Sequence, residues 1–271
     1  MRIKDLAFAA TFLLTSISSA GAPQTPSPTP SPLQRDPQAL MALGQMVAAA
    51  GWTASTVPAT IVASGTLTRP GAGQQAPASF IIKQRGPAQH RMDLQDSGTT
   101  STTVVNGLAG AIRLPDGTKQ RLPGHGALSI QSPVFPFLSD LVNTADLSVA
   151  IQDLGTKIVD GTSCHGVAIM RHASSADSFA QFRDLASPLK VWVSLQSALP
   201  VRIDFIRLAD DNPYLAMNFS RTFSDYRLVN GIAVPFQQSE SFEGQLMYQI
   251  QFTAVQFNVT LTDTDFNSAA L

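Results

Sequence analysis

The residues best suited to chemistry lie in "GTSCHG", Gly161 to Gly166. Ser163 in a G-x-S-x-G frame would be a nucleophile raised on a strand-to-helix turn. Here the fifth position is His165, and the run lies between two β-type segments with no helical pattern after Ser163. Asp160-Gly161 more simply turns a hairpin, and Cys164 reads as a small buried hydrophobe. A metal would need at least three converging ligands at short spacings. Cys164, His165 and His172 are close in sequence, yet adjacent strand residues point to opposite faces, so Cys164 and His165 diverge. His165 and His172 differ by an odd number and diverge too, while His90 and His125 read as polar-face or turn residues. "DTDFNS" (Asp263–Ser268) opens like a calcium loop, but the sixth position is not Gly and no Glu follows at the twelfth. It reads as a capped terminal turn. Phosphate-loop, H-E-x-x-H and dinucleotide patterns do not occur. The expectation is a non-enzymatic protein with no catalytic residue, no metal and no cofactor.

What remains is apolar surface. Phe80, Ile82, Met92, Phe135, Phe137, Leu138, Leu141, Trp192, Phe205, Met217, Phe219, Met247 and Phe252 are the candidates to line a hollow, with packing of a closed core as the alternative. Met46, Met92, Met217 and Met247 would suit a wall that repacks around different occupants. Burying an acyl chain gains about 0.8 kcal/mol per methylene, so a 16-carbon chain offers roughly 12 kcal/mol before ordering costs. Such a container needs no ionic anchor and no reactive group.

Composition narrows the partners. Of 271 residues, 44% are hydrophobic and 14% charged, against about 25% charged in an average domain. With a formal net charge of −1 and no basic stripe, nucleic-acid binding lacks its electrostatic basis. No polybasic cluster is present to hold an anionic membrane. Arg2 and Lys4 precede an apolar run, Leu6–Ile17, too short for the roughly 20 residues that span a bilayer. "SSAGA" follows with small residues, so residues 1–20 read as a signal peptide cleaved after Ala20. Cys164 is the single cysteine, which excludes an internal disulfide and leaves no thiol beside the cleavage site for a lipid anchor. The expected product is periplasmic or secreted, soluble, and free of transmembrane segments.

The elements that must position the apolar set follow in order. Residues 21–37 alternate Pro with Ser and Thr and read as an extended spacer. "DPQALMALGQMVAAAGW" predicts a helix with Asp36 as N-cap, Pro37 first, Leu40, Leu43, Met46 and Val47 on one stripe, and Gly51 as stop. Thereafter the period is two. Short runs separated by Gly and Pro clusters read as meander strands, with Asn106-Gly107, Asp116-Gly117, Asp160-Gly161 and Asn230-Gly231 as hairpin turns. Pro235 belongs on an edge or at a bulge. A second helical patch is expected over Pro133–Asp146. One helix, about five strands, a short helix and about six more strands predict a mostly β (α+β) domain over 38–267. Its form is one strongly curved antiparallel sheet, an incomplete barrel of about eleven strands, with helices capping its concave side.

Several pieces carry a resemblance. The helix ending near Trp52, the meander, "DGTSCHGVAI", "LPVRIDF", "FSDYRLVNGIAVPF" and the terminal "VQFNVTLTDTDF" together resemble the periplasmic lipoprotein-carrier (LolA/LolB-like) superfamily, over Gln38–Phe266. Most specific is the ending, an Asn (Asn258), an Asp-bearing turn (Asp263, Asp265) and a final Phe (Phe266). Where that family often has an Asp-x-x-Thr-Gly turn before the "LPVRI" strand, this chain has "SLQSALP", with Leu195, Ser197 and Ala198 as the replacements. The resemblance implies a half-barrel whose hydrophobic hollow shields acyl chains under a helical lid. It also implies an early-strand Arg that latches the lid, with Arg69 and Arg85 as candidates. The implied partners are a lipid or acylated protein, and envelope proteins; the alternative is an envelope interaction module with a filled barrel.

Overall fold

The computed structural model describes residues 34–52, 57–71, 76–129, 134–135, 146, 148–173, 180–209, 211–212 and 214–270. Helix α1 spans Pro37–Ala49, as its sequence signals require. The Asp36 carboxylate accepts from the Gln38 amide at 2.9 Å, and Pro37 occupies the first turn, where a missing N–H costs nothing. At the other end Gly51 has φ +73°, the Gly51 amide donates to the Ala48 carbonyl and the Trp52 amide to the Val47 carbonyl. That pair of bonds satisfies two carbonyls the helix would otherwise leave open. Just before α1, Ile151 N donates to Gln34 O at 2.8 Å and Asp36 N donates to Ile151 O at 2.9 Å. Residues 34–36, at the end of the sequence expected to be spacer, therefore lie against the sheet.

Thirteen strands follow. They are β1 (Thr60–Thr68), β2 (Ala78–Arg85), β3 (Gln89–Asp96), β4 (Thr99–Asn106), β5 (Ala109–Arg113) and β6 (Lys119–Leu122), then β7 (Val149–Val159) and β8 (Thr162–Arg171). After them come β9 (Leu189–Ser194), β10 (Pro200–Leu208), β11 (Ala216–Val229), β12 (Ile232–Phe242) and β13 (Gln245–Phe257). Among the described residues two short helices interrupt the series, α2 (Gly124–Ser129) and α3 (Ala180–Ala186). All strands join one antiparallel sheet in the order β6-β5-β4-β3-β2-β1-β13-β12-β11-β10-β9-β8-β7. β6 and β7 are its edges, so the sheet does not close.

The expected curved sheet is present, with thirteen strands instead of about eleven. "NGLAGAIRLPDGTKQRL" supplies both β5 and β6, and β7 runs unbroken through a bulge at Asp153/Gly155. Turns at Asp160-Gly161 and Asn230-Gly231 stand as expected, with positive φ at all four residues. The β4–β5 turn is displaced by one: Asn106 pairs with Ala109, leaving Gly107-Leu108 as the loop. Of the helical patch expected at Pro133–Asp146, only 134, 135 and 146 fall among the described residues, and α2 lies upstream of it.

Curvature is visible in one contact set. α2 packs against both β5 and β10, which stand eight places apart in the strand order. At about 4.8 Å per strand a flat sheet would hold them nearly 40 Å apart, whereas a six-residue helix reaches only about 9 Å. The sheet must curl around the helices. α1 lies over β7 and β8 on the same concave side. β12 pairs with β13 only from Gln237 onward, while β13 continues along β1 to Phe257. Near this divergence Trp52 meets Phe135 edge-on at a centroid distance of 5.4 Å, and Phe135 meets Phe257 at 6.0 Å. Pro235 sits in the stretch of β12 without a β13 partner, where its missing N–H breaks no ladder.

Candidate functional site

Alternation places one side chain in two on the concave face, and there most of the expected apolar set converges. Phe80 and Ile82 of β2, Met92 of β3, Phe205 of β10, Met217 and Phe219 of β11, and Phe252 of β13 belong to one buried cluster. Leu43 and Met46 of α1, with Val134 and Phe135, complete it from the helical side. Phe205 stacks on Phe219 at 5.8 Å, Phe219 meets Phe242 at 5.2 Å, and Phe80 meets Phe252 edge-on at 5.6 Å.

Two members of the set lie elsewhere. Trp192 is on the outer face, in a separate cluster with Val159 and Cys164, its Nε1 donating to Asp204 at 2.8 Å. Lys157 Nζ rides 3.7 Å above its ring. Gly166, directly opposite on β8, makes the seat, because a Cβ there would collide with the Trp192 ring. Met247 is half-buried at the bulge between β12 and β13, outside the main cluster. Phe137, Leu138 and Leu141 lie outside the described residues.

The concave face also holds charge that the apolar reading missed. Arg221 of β11 and Glu240 of β12 are cross-strand partners, and each side chain keeps only 1% of its exposure. Arg221 Nε and Nη2 both donate to Glu240 Oε2, and Nη2 also lies 3.3 Å from the Tyr248 hydroxyl. From β10, Arg207 Nη1 donates to Glu240 Oε1 at 2.8 Å and Nη2 to Oε2 at 3.1 Å. The Arg207 guanidinium lies 4.5 Å from the Phe219 ring centroid and 5.2 Å from that of Phe205. Burial by itself would raise the Glu240 carboxyl; Arg207 and Arg221 outweigh it and hold the group below its ordinary value. Burial pushes the Tyr248 phenol upward, so it stays protonated. The signal was in the sequence. Met217, Phe219, Arg221 and Phe223 alternate on one face, and the Asn230-Gly231 turn sets Arg221 opposite Glu240.

No protein-family model matches the chain, and no curated protein matches it in sequence. Solved structures do match. A DUF1329 family protein from Desulfovibrio piger aligns with TM-score 0.52 at 16% identity, over 86% of this chain and 98% of that one. A putative outer membrane lipoprotein-sorting protein domain from Vibrio parahaemolyticus aligns with TM-score 0.53 at 12% identity, over 86% and 97%. A LolA superfamily protein from Nitrosomonas europaea aligns with TM-score 0.51 at 12% identity, over 86% and 99%. The chain has a LolA-like fold.

Within that LolA-like fold the terminal motif is a clasp on the outer face. Asn258, at φ +57°, accepts the Ala59 amide through its side chain and donates its own amide to Thr60 O. Asp263–Phe266 forms a 3-10 turn capped by Thr262 and Asp265. Asp265 binds Lys83 at 2.6 Å, which with the Thr262 amide holds its carboxyl down to about 2. Asp263 binds Arg85 at 2.5 Å, and Phe266 is fully buried beneath the Arg85 guanidinium. Arg85 is thereby engaged with the clasp, and Arg69 binds Asp96 at 2.8 Å. In "SLQSALP", the Ser194 hydroxyl accepts the Gln196 and Ser197 amides, and Ala198 adopts φ +55°.

The reactive candidates take structural places. Ser163 of β8 pairs with Ile158 of β7, and the strand continues after it to Arg171 with no turn into a helix. Cys164 is buried on the outer face, where desolvation pushes its thiol up. His165, one residue on, turns to Asp153 at 2.7 Å. The outer face also carries a groove of about 600 Å³ bordered by Met170, Lys190, Arg202, Asp204 and Asn218. Arg202 and Asp204 are paired there at 2.6 Å.

Proposed function

We propose that this protein is an exported, non-enzymatic carrier that holds an apolar ligand, a lipid or lipid-modified peptide, between the concave face and the helices over it. The supporting observation is the continuity of the concave apolar cluster from β2 and β3 through β13 to β10 and β11, with α1 against it. Binding there would draw on burial of methylenes alone. The LolA-like fold is consistent with that use, since one similar structure is described as a lipoprotein-sorting domain. Export rests on the leader-like residues 1–20, and no helix among the described residues is long and apolar enough to cross a membrane.

A second reading has its own support. The cluster members bury one another almost wholly, as in a filled barrel serving envelope interactions. Native mass spectrometry of protein purified from the producing cells separates the two. A carrier shows co-purifying lipid masses and takes up a fluorescent fatty acid; a single apo mass with no uptake favours the filled barrel.

A further inference from the structure

We infer that the ligand is an amphiphile with one anionic head group, a carboxylate or a phosphate, received at Arg207; this rests on the carrier reading above. Two guanidinium groups share the Glu240 carboxylate, whose Oε1 accepts from Arg207 and whose Oε2 accepts from Arg207 and Arg221. A carboxylate offers about two lone-pair sites on each oxygen; Oε2 takes three of these bonds and Oε1 one, so Arg207 and Arg221 together engage both oxygens. Arg207 is the outermost of the three, its side chain keeping 17% exposure against 1% for Arg221 and Glu240. Its Nε is buried with no hydrogen-bond partner among the described residues. A guanidinium is a planar fork matched to carboxylate and phosphate oxygens and stays charged when buried.

The surroundings fit a tail as well as a head. Phe205 and Phe219 lie against the Arg207 guanidinium, and Phe242 adjoins Phe219, so an aromatic wall continues from the cation into the apolar cluster. Two residues beyond Arg207, the Ala209 carbonyl lies 3.1 Å from His125 Nε2 of α2, and α3 packs on β10 beside it. The short helices therefore lie over the end of β10 next to the head-group position, and a neutral oxygen would offer the Arg207 Nε only a weaker, uncharged acceptor.

The test uses delipidated mature protein and four probes: oleate, oleyl alcohol, dioleoyl phosphatidate and dioleoylglycerol, each competing with a neutral fluorophore. Wild type should bind at least one anionic probe about tenfold or more tighter than its neutral counterpart, as expected for a hydrogen bond to a charged group. The pair showing the preference tells carboxylate from phosphate. Arg207→Gln should abolish the preference, read as the ratio of anionic to neutral affinity within the variant itself, and Arg207→Lys should retain part of it. Unfolding midpoints of both variants confirm the fold, and the wild-type comparison stands even where a variant does not fold. Equal affinity of wild type for anionic and neutral probes, or an undiminished preference in Arg207→Gln, overturns the inference and leaves the carrier reading intact. Failure of all four probes overturns both.

Discussion

Arg221 and Glu240 occupy apolar-face positions, and their burial has a measurable consequence. Charges taken from water need each other. Removing one partner strands the rest, whereas replacing the whole set with apolar groups is often neutral. Glu240→Gln should lower unfolding free energy by about 3–5 kcal/mol in urea titrations, and the triple variant Arg207→Met, Arg221→Met, Glu240→Leu should recover most of that loss. His90 adds a pH dependence. Its ring is buried, and desolvation lowers its pKa from 6.5 to about 4, a shift that the hydrogen bond with the Pro87 backbone only partly opposes. Between those values the unfolded chain binds the proton and the fold does not, so stability falls as pH drops from 6.5 to 4. The loss approaches about 3 kcal/mol at the acid end. His90→Leu should flatten unfolding free energy across that window. Glu240, with its depressed pKa, contributes stability that is complete above its unfolded value of 4.5 and is lost as pH falls through the folded one. At this scale the sequence was only partly legible. Arg221 was legible by its phase with Met217, Phe219 and Phe223, although the apolar reading passed over it; the face of Trp192 was not, because Leu189, Val191, Trp192 and Val193 are all buried and leave β9 no alternation to read.

Among the elements, α1 shows how local signals and tertiary fit combine. Its cap, first-turn Pro and terminal Gly are legible because each answers a backbone group within the same few residues. What the sequence could not show is that Gly51 is pressed on the β11–β12 turn. A Cβ there would overlap the Gly231 carbonyl, and Ala233 N already donates to Ala50 O at 3.0 Å. Gly51→Ala therefore combines a left-handed φ with a backbone collision and should lower the thermal midpoint markedly, costing more than about 1 kcal/mol. Gly44, exposed in mid-helix with open space at its Cβ, is the control. Gly44→Ala should stabilise by about 1 kcal/mol in the same measurement. α2 and α3, six and seven residues long, carried no readable period, since helices so short depend on tertiary contacts for stability. Their placement comes from packing on β10 and from His125, Phe182 and Tyr214 meeting side by side at 6.0 and 5.7 Å.

For the molecule as a whole, the question is which side of the sheet does the work. The period-two pattern and the hairpin turns made the single curved sheet legible, because register follows from the turns. Assigning each strand's face to the hollow or to the outside required the coordinates. The outer side has a clasp from the C-terminal residues over β2 and β3, and a polar groove around Arg202 and Asp204. The inner side has the apolar cluster. The two tryptophans report on these sides separately. Trp52 belongs to the inner cluster beside Phe135, while Trp192 hydrogen-bonds Asp204 at the border of the outer groove. In Trp192→Phe, a bromine-labelled fatty acid should quench the remaining Trp52 emission on binding; in Trp52→Phe the remaining Trp192 emission should hold. The reverse pattern would move the ligand to the outer groove, because bromine quenches only on near contact. A carrier working from its concave face can give only the first.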